Sequence, residues 1–345
     1  MRTGILGILA LAAVVAAAGC SVPPTASTAS APSSRNLALV TVRGSNDIAV
    51  VDITDIRHPK TVSTLGQISL PRFVSGTELS YLQDGALIRA PLSGSPKTIV
   101  SSQSVGIFAW SPDGNTAAYL TSQVFNETES KMELHLMSAG NDRVVGSMSG
   151  LPMVWGCETQ ACADTYDLHL SYSPDGRFIS WAQNVRPVFR LWGADGRDVT
   201  PSTVVPFMTV WSDAGLYFGD SKGIEVYRTG VVSPFLPGAT WIRPKASAGG
   251  GQILYEARDG SGLGHAYLAD TTSGKARDLG QGRTEPQFLT SRYVWYQGER
   301  LCTATDQCAA GPATGTGKTY LSDLQDGTET ESNITSVLDV WPHAA

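Results

Sequence analysis

The chain carries one motif twice: Phe108-Ala-Trp-Ser-Pro-Asp-Gly-Asn-Thr-Ala-Ala-Tyr-Leu120 and Leu170-Ser-Tyr-Ser-Pro-Asp-Gly-Arg-Phe-Ile-Ser-Trp-Ala182. In each copy a short apolar strand ends in an aromatic residue, Ser-Pro-Asp-Gly turns the chain, and an alternating apolar strand runs back. The turn follows from its residues: Pro presets φ, Asp caps, and Gly accepts a positive φ. One hairpin cannot bury its apolar face alone, so a recurring hairpin has to stack with its copies in a larger array. The array predicted by this pattern is an all-β propeller.

Weaker versions of the unit recur along the chain, each an apolar or aromatic anchor followed by a turn and two or three alternating strands. The anchors are Phe73, Trp110, Tyr172, Trp211, Ile242 and Phe288. Both ends are incomplete. Leu37 to Val42, Ile48 to Val51 and Thr61 to Leu65 read as the last three strands of a unit, and Val337 to Pro342 as a first strand with nothing after it. Joined, they complete one blade and remove the exposed sheet edges that invite aggregation. That predicts seven four-stranded blades of about 44 residues each, closed by pairing of the N- and C-terminal strands. Six blades is the alternative, because the units at Trp211 and Ile242 are degenerate and their anchors stand only 31 residues apart.

Ser111-Pro112-Asp113-Gly114 and Ser173-Pro174-Asp175-Gly176, each between an aromatic residue and an alternating strand, resemble the repeat of TolB-like propellers, found also in prolyl-oligopeptidase-type propellers. The resemblance covers most of the mature chain as architecture, with the full motif in two of seven units. It implies a propeller and leaves function open, because such propellers serve as scaffolds, binding proteins and enzyme-gating modules. Neither a TolB-type N-terminal domain nor a hydrolase domain is expected beside it.

Residues 1–19 hold one basic residue, an apolar run and small residues before Cys20, which is the build of an export signal. Ala17-Ala18-Gly19-Cys20 resembles the lipobox of bacterial lipoproteins, which implies cleavage before Cys20 and lipidation of its thiol. A membrane span is disfavoured: sixteen residues from Gly4 to Gly19 reach about 24 Å, short of a roughly 30 Å hydrocarbon core. After lipidated Cys20, a Ser/Thr/Ala/Pro tether continues to residue 35 with too little apolar surface to fold, and residues 36–345 form the propeller domain. The expected location is the bacterial cell membrane, on its extracytoplasmic side.

The formal net charge of −6 becomes −7 once Arg2 leaves with the signal, so a nucleic-acid partner is excluded and the acidity serves solubility. Four cysteines remain, as Cys157 with Cys162 and Cys302 with Cys308. In an exported chain such close pairs read as local disulfides that stiffen loops. Zinc is the alternative, yet no His cluster accompanies them.

Other motifs have plainer readings. Gly219-Asp-Ser221-Lys-Gly223 satisfies the nucleophile-elbow pattern, but Phe218 and Ile224 flank it as a hairpin rather than as a strand entering a helix. Pro312 to Thr319 nearly makes a phosphate-binding loop, but Pro312 stands where the first Gly is needed and a strand succeeds it. The five histidines are scattered and no calcium loop appears, so no metal, cofactor or catalytic residue is predicted. Spacing along the chain does not exclude ligands converging on the central channel.

In a four-stranded blade the B–C and D–A connections share one face, and the Ser-Pro-Asp-Gly turns, as A–B connections, lie on the other. Both cysteine loops are therefore expected together: residues 149–167 as a D–A insertion and 297–317 as a B–C insertion, with loops 122–131 and 258–264 beside them. Long stapled loops on one rim of a rigid scaffold are where recognition is usually carried. The first reading is a monomeric, non-enzymatic, lipid-anchored propeller that binds a protein or small ligand through this rim, with Trp155, Asp164, Tyr166, Asp306 and Gln307 as contacts. Two rivals remain: a lactonase-like or quinone-cofactor enzyme with its site at the channel, and a structural envelope factor without a small ligand.

Overall fold

The alternating apolar stretches form seven antiparallel sheets arranged as the blades of a propeller. The computed structural model describes residues 35–100, 105–126, 129–149, 169–183, 188–201, 207–303, 305–306, 308 and 312–342. Blade 1 takes its three outer strands from the start of the described chain: β1 (Leu37–Thr41), β2 (Ile48–Asp52) and β3 (Lys60–Gly66). Blade 2 runs outward through β4 (Ser69–Ser75), β5 (Glu78–Gln83), β6 (Ala86–Pro91) and β7 (Lys97–Val100), and blade 3 through β8 (Val105–Trp110), β9 (Thr116–Asn126), β10 (Glu129–Ser138) and β11 (Asn141–Ser149). Blade 4 has β12 (His169–Tyr172), β13 (Phe178–Gln183) and β14 (Val188–Gly193). Blade 5 comprises β15 (Phe207–Ser212), β16 (Gly215–Asp220), β17 (Gly223–Arg228) and β18 (Val231–Pro237). Blade 6 comprises β19 (Ile242–Ala246), β20 (Gln252–Arg258), β21 (Gly264–Asp270) and β22 (Ala276–Gln281). Blade 7 comprises β23 (Arg283–Phe288), β24 (Tyr293–Leu301), β25 (Ala313–Asp323) and β26 (Glu329–Glu331), and β27 (Val337–Trp341) returns to blade 1 as its inner strand.

The closure is the one that the incomplete ends predict. β27 pairs with β1 through Leu37↔Trp341, Ala38↔Val340 and Leu39↔Asp339. Asp339 also accepts the Phe73 backbone N–H at 2.7 Å, and Thr335 Oγ1 donates to the Thr41 carbonyl at 2.7 Å, so the seam is tied on both sides.

Among the described residues the core is divided into apolar clusters between neighbouring blades, because each sheet buries both faces. Phe108 and Tyr119 of blade 3 pack on Leu82 and Leu87 of blade 2. Trp181 of blade 4 packs with Met132 and Leu134 of blade 3, and Trp295 of blade 7 with Ala38 and Val51 of blade 1. Seven such clusters close the circle among the described residues. The aromatics of the repeat thus divide: Tyr119, Trp181 and Trp295 are interblade packing, while Trp110 and Tyr172 stay half-buried at the ends of inner strands.

The repeated turn has the chemistry that its residues predict. Ser111 Oγ donates to Asp113 at 2.5 Å and accepts Thr116 N–H at 2.9 Å, and Gly114 takes φ +67°. Ser173, Asp175, Phe178 and Gly176 repeat the pattern, with φ +70° at the glycine. The Ser111 hydroxyl and the Asn115 N–H hold the Asp113 carboxyl below its ordinary range, so it is an ionised cap. A third copy hides in Ser247-Ala-Gly-Gly250: Ser247 Oγ accepts Gln252 N–H, Gly250 N–H bonds the Ser247 carbonyl, and Gly250 has φ +63°. That corrects the anchor of blade 6. Ile242 sits at the start of β19; the residue before the turn, matching Trp110, is Ala246.

Two elements depart from simple expectation. Blade 4 shows three strands among the described residues, with a rudimentary fourth in which Asp198 bridges Trp192 and Thr200 Oγ1 accepts Leu191 N–H. Residues 297–301 and 313–317, expected within an insertion loop, are strand: after a bulge at Gly298, Glu299↔Gly315, Arg300↔Thr314 and Leu301↔Ala313 extend the β24–β25 hairpin beyond the blade.

One consequence concerns acid. Asp323 is buried at the end of β25, and the Arg292 guanidinium holds its carboxyl down at about 2, from an ordinary value of 3.8. A depressed carboxyl contributes stability above its unfolded value and loses it as pH falls through the folded one. Thermal melts should therefore fall between about pH 4 and 2, and Asp323→Asn should flatten that limb. An unaltered acid limb in the variant would exclude this pair as a source.

Candidate binding surfaces

The inner strand of each blade lines the central channel, and a shared irregularity decides what it presents. In blades 2, 5, 6 and 7 three steps on the inner strand oppose two on its neighbour: Ser69 to Arg72 against Leu82 to Ser80, and likewise Phe207 to Val210, Ile242 to Lys245, and Thr284 to Gln287. Each bulge contains a non-glycine residue in the left-handed region: Leu70, Met208, Arg243 and Glu285, at φ 48°, 54°, 50° and 54°. Bulges re-aim the side chains that come after them, and such strained residues persist only where the surroundings over-determine them.

Pairing with the second strand puts the blades in register. One residue per blade, opposite Ala38, Ser80, Ala118, Ser180, Tyr217, Leu254 or Trp295, forms a ring: Arg72, Ser171, Lys245 and Gln287 are its polar members, and Ala109, Val210 and Val340 its apolar ones. All seven are half-buried. Six of them line a cavity of about 310 Å³, with Ala109 in the adjoining one of about 420 Å³ that opens on the Ser-Pro-Asp-Gly face. The outer cavity is collared by Trp110, Tyr172, Trp211 and Trp341, the residues one place nearer the turn. Trp110 and Trp211 are fixed by their indole N–H groups, which donate to Ser80 and Ser180 of the preceding blade at 2.7 and 2.8 Å. Those two serines occupy matching places on β5 and β13; blade 3 has Ala118 there, and the hydroxyl of Tyr172 in the next blade is buried without a partner. Burial pushes that phenol well above its ordinary value.

The opposite face carries the B–C and D–A connections. Its described protrusion is the tip of the β24–β25 hairpin, where Cys302 and Cys308 are disulfide-bonded with Cα atoms 6.4 Å apart. Arg300 donates to both carboxylate oxygens of Asp306 at 2.6 and 2.8 Å, and Thr303 N–H and Oγ1 donate to the same group at 2.6 and 2.8 Å. Asp306, expected as a partner contact, is thus occupied inside the hairpin, while Leu301 is exposed beside it. Gln307, Trp155, Asp164 and Tyr166 lie outside the described residues, as do Cys157, Cys162 and the lipidation residue Cys20.

Beneath the hairpin lies a charged cluster that no sequence motif marks. Glu256 is fully buried; it accepts Thr284 Oγ1 at 2.7 Å and Glu285 N–H at 3.0 Å. Arg258 stands as an ion pair 3.0 Å from its other oxygen and donates to Glu299 at 2.9 and 3.0 Å. Glu299 also takes the Gly264 N–H at 2.8 Å, which stitches blade 6 to blade 7. The cluster escapes a reading of the sequence because its members come from three strands of two blades.

The motifs set aside in the sequence stay aside. Ser221 and Lys222 are the two central residues of the β16–β17 hairpin, closed by the Asp220↔Gly223 pair, so no nucleophile elbow forms. Residues 313–323 are strand β25. Among the described residues no three His, Cys, Asp or Glu side chains stand together as a metal centre requires.

Comparison with known proteins agrees on architecture. No family model matches the chain, and no curated protein is similar to it in sequence. Among solved structures it is similar to the acylaminoacyl peptidase of Pyrococcus horikoshii (14% identity, 87% of this chain and 52% of that one, TM-score 0.55). It is similar also to dipeptidyl peptidase 4 of Porphyromonas gingivalis (12%, 86% and 50%, TM-score 0.52) and to TolB of Acinetobacter baumannii (16%, 88% and 65%, TM-score 0.49). The chain spans about half the length of the two peptidases and 65% of TolB. At these identities the likeness concerns the fold alone, that of a β-propeller.

Proposed function

We propose that this chain is a lipid-anchored, extracytoplasmic binding propeller, without catalysis of its own, that engages a protein partner through its loop-rich face. The observation that supports this reading most is the β24–β25 hairpin. It extends past the blade, is stapled by Cys302–Cys308 and is held internally by Arg300, Thr303 and Asp306. A segment fixed in this way loses little conformational freedom on binding, which favours affinity. The anchor rests on Cys20 and its preceding Ala-Ala-Gly, and the next fifteen residues reach roughly 20 Å, enough to clear the lipid headgroups.

The test is in-cell cross-linking of the full chain against a version in which residues 302–312 are replaced by a short Gly-Ser turn. The replacement is expected to keep cooperative melting and lose the cross-linked partner; an unchanged cross-linking pattern would sink the rim as the binding surface. Cys20→Ser, run in parallel, is expected to release the protein from the membrane fraction with its melting unaltered. Retention in that fraction would refute the anchor and leave the rim untouched.

A further inference from the structure

The ring of equivalent positions in the channel contains two cations and no carboxylate. Arg72 and Lys245 project into the same cavity from blades 2 and 6. Neither forms an ion pair among the described residues: Arg72 donates to the carbonyls of Pro71 and Leu338, and Lys245 meets no carboxylate. One carboxylate, that of Asp339, lines the same cavity one place from the ring, where it accepts the Phe73 N–H at 2.7 Å, so the two cations there outnumber it. The remaining charged residues of the inner strands pair towards the loop-rich mouth, Arg243 with Glu256 and Glu285, and Arg283 with Glu329. Like charges held in a shielded cavity repel each other more strongly than in water, so this level of the channel favours an anion.

Two further features point the same way. Thr209 lines the cavity, is only 7% exposed, and its hydroxyl is buried without a partner. An unpaired buried hydroxyl is unfavourable, and an oxyanion would accept from it. The cavity also opens, past Trp211 and Pro342, into the aromatic-collared one, which gives an apolar wall on one side of a polar floor. Cavities of about 310 and 420 Å³ suit a ligand of one or two rings.

We infer that the channel binds a small organic anion, with its carboxylate or phosphate between Arg72 and Lys245 and its apolar body against the collar at Trp211 and Trp341. This does not depend on the rim as a partner surface.

Calorimetric titration of the purified full-length protein tests it with four single-ring probes: benzoate, phenyl phosphate, benzyl alcohol and benzylamine. At least one anion is expected to saturate at one per chain, with the tighter identifying the head group, and the alcohol and amine to bind at least roughly tenfold more weakly. Lys245→Met should weaken the anion by roughly tenfold to a hundredfold and leave the alcohol unaffected, while Lys245→Arg should retain it. Because Arg72 also braces the closing strand, Lys245 is the decisive position; Thr209→Val, which deletes an unpaired hydroxyl, should fold normally and weaken the anion too. Absence of saturation by either anion, equal binding of the alcohol, or an unchanged anion affinity in folded Lys245→Met would overturn the inference.

Discussion

Removal of residues 337–345 is expected to unfold the propeller. Those residues comprise β27 and the short segment after it, and β27 is the inner strand of a blade whose other strands come from residues 37–66. Its loss would uncover the ladder edge of β1 and the fully buried Leu37, Ala38 and Leu39. It would also strip Val337 from the seam with blade 7, and Leu338 and Trp341 from the seam with blade 2. At roughly 1.5–3 kcal/mol for each fully buried large side chain, and about half that for the half-buried ones, the direct loss is about 3–6 kcal/mol. Whole domains are stable by only about 5–15 kcal/mol. The expected result is loss of the cooperative melt, partly restored by a peptide of residues 333–345 added in trans, since a ligand that binds only the folded form stabilises it. A truncated protein that melts like the full chain would refute closure by this strand.

Arg258→Ala is the second large effect. Its guanidinium is shared by Glu256, which is fully buried, and Glu299, whose side chain is 9% exposed. Without it two buried carboxylates face each other across the seam of blades 6 and 7, with Arg243, 3.7 Å from Glu256, as the nearest remaining cation. Breaking a buried pair by deleting one partner costs about 3–5 kcal/mol, because the charge left behind is neither solvated nor compensated. Chemical denaturation should show a loss of that size at neutral pH. Arg258→Met combined with Glu256→Gln and Glu299→Gln should recover part of it. A loss under about 1 kcal/mol, the range of exposed pairs, would mean that water screens the cluster.

The Cys302–Cys308 loop could be read only in part. Cys302 and Cys308 lie close in sequence and do pair, but the charged residues between and before them form a closed internal network, so Asp306 acts within the hairpin. Side-chain saturation of that kind depends on how Arg300 folds back across the strand, which spacing alone does not record. Blade 6 shows the same limit: Ile242 is the most apolar residue near its start, yet the Ser247–Gly250 turn makes Ala246 its anchor.

Residue chemistry acting over four or five positions determined the hairpins. Pro, Asp and Gly place each turn, alternation places each strand, and the missing strand at either end requires the other. These effects are local or come from counting, so the chain displays them before it folds. The channel was decided elsewhere. Arg72 and Lys245 are 173 positions apart, and each reaches the ring only because an extra residue upstream shifts its strand by one place. A one-residue bulge moves every later side chain to a new direction and leaves composition and alternation almost unmarked. Only closure of the seven blades around one axis brings two such shifted cations to the same level.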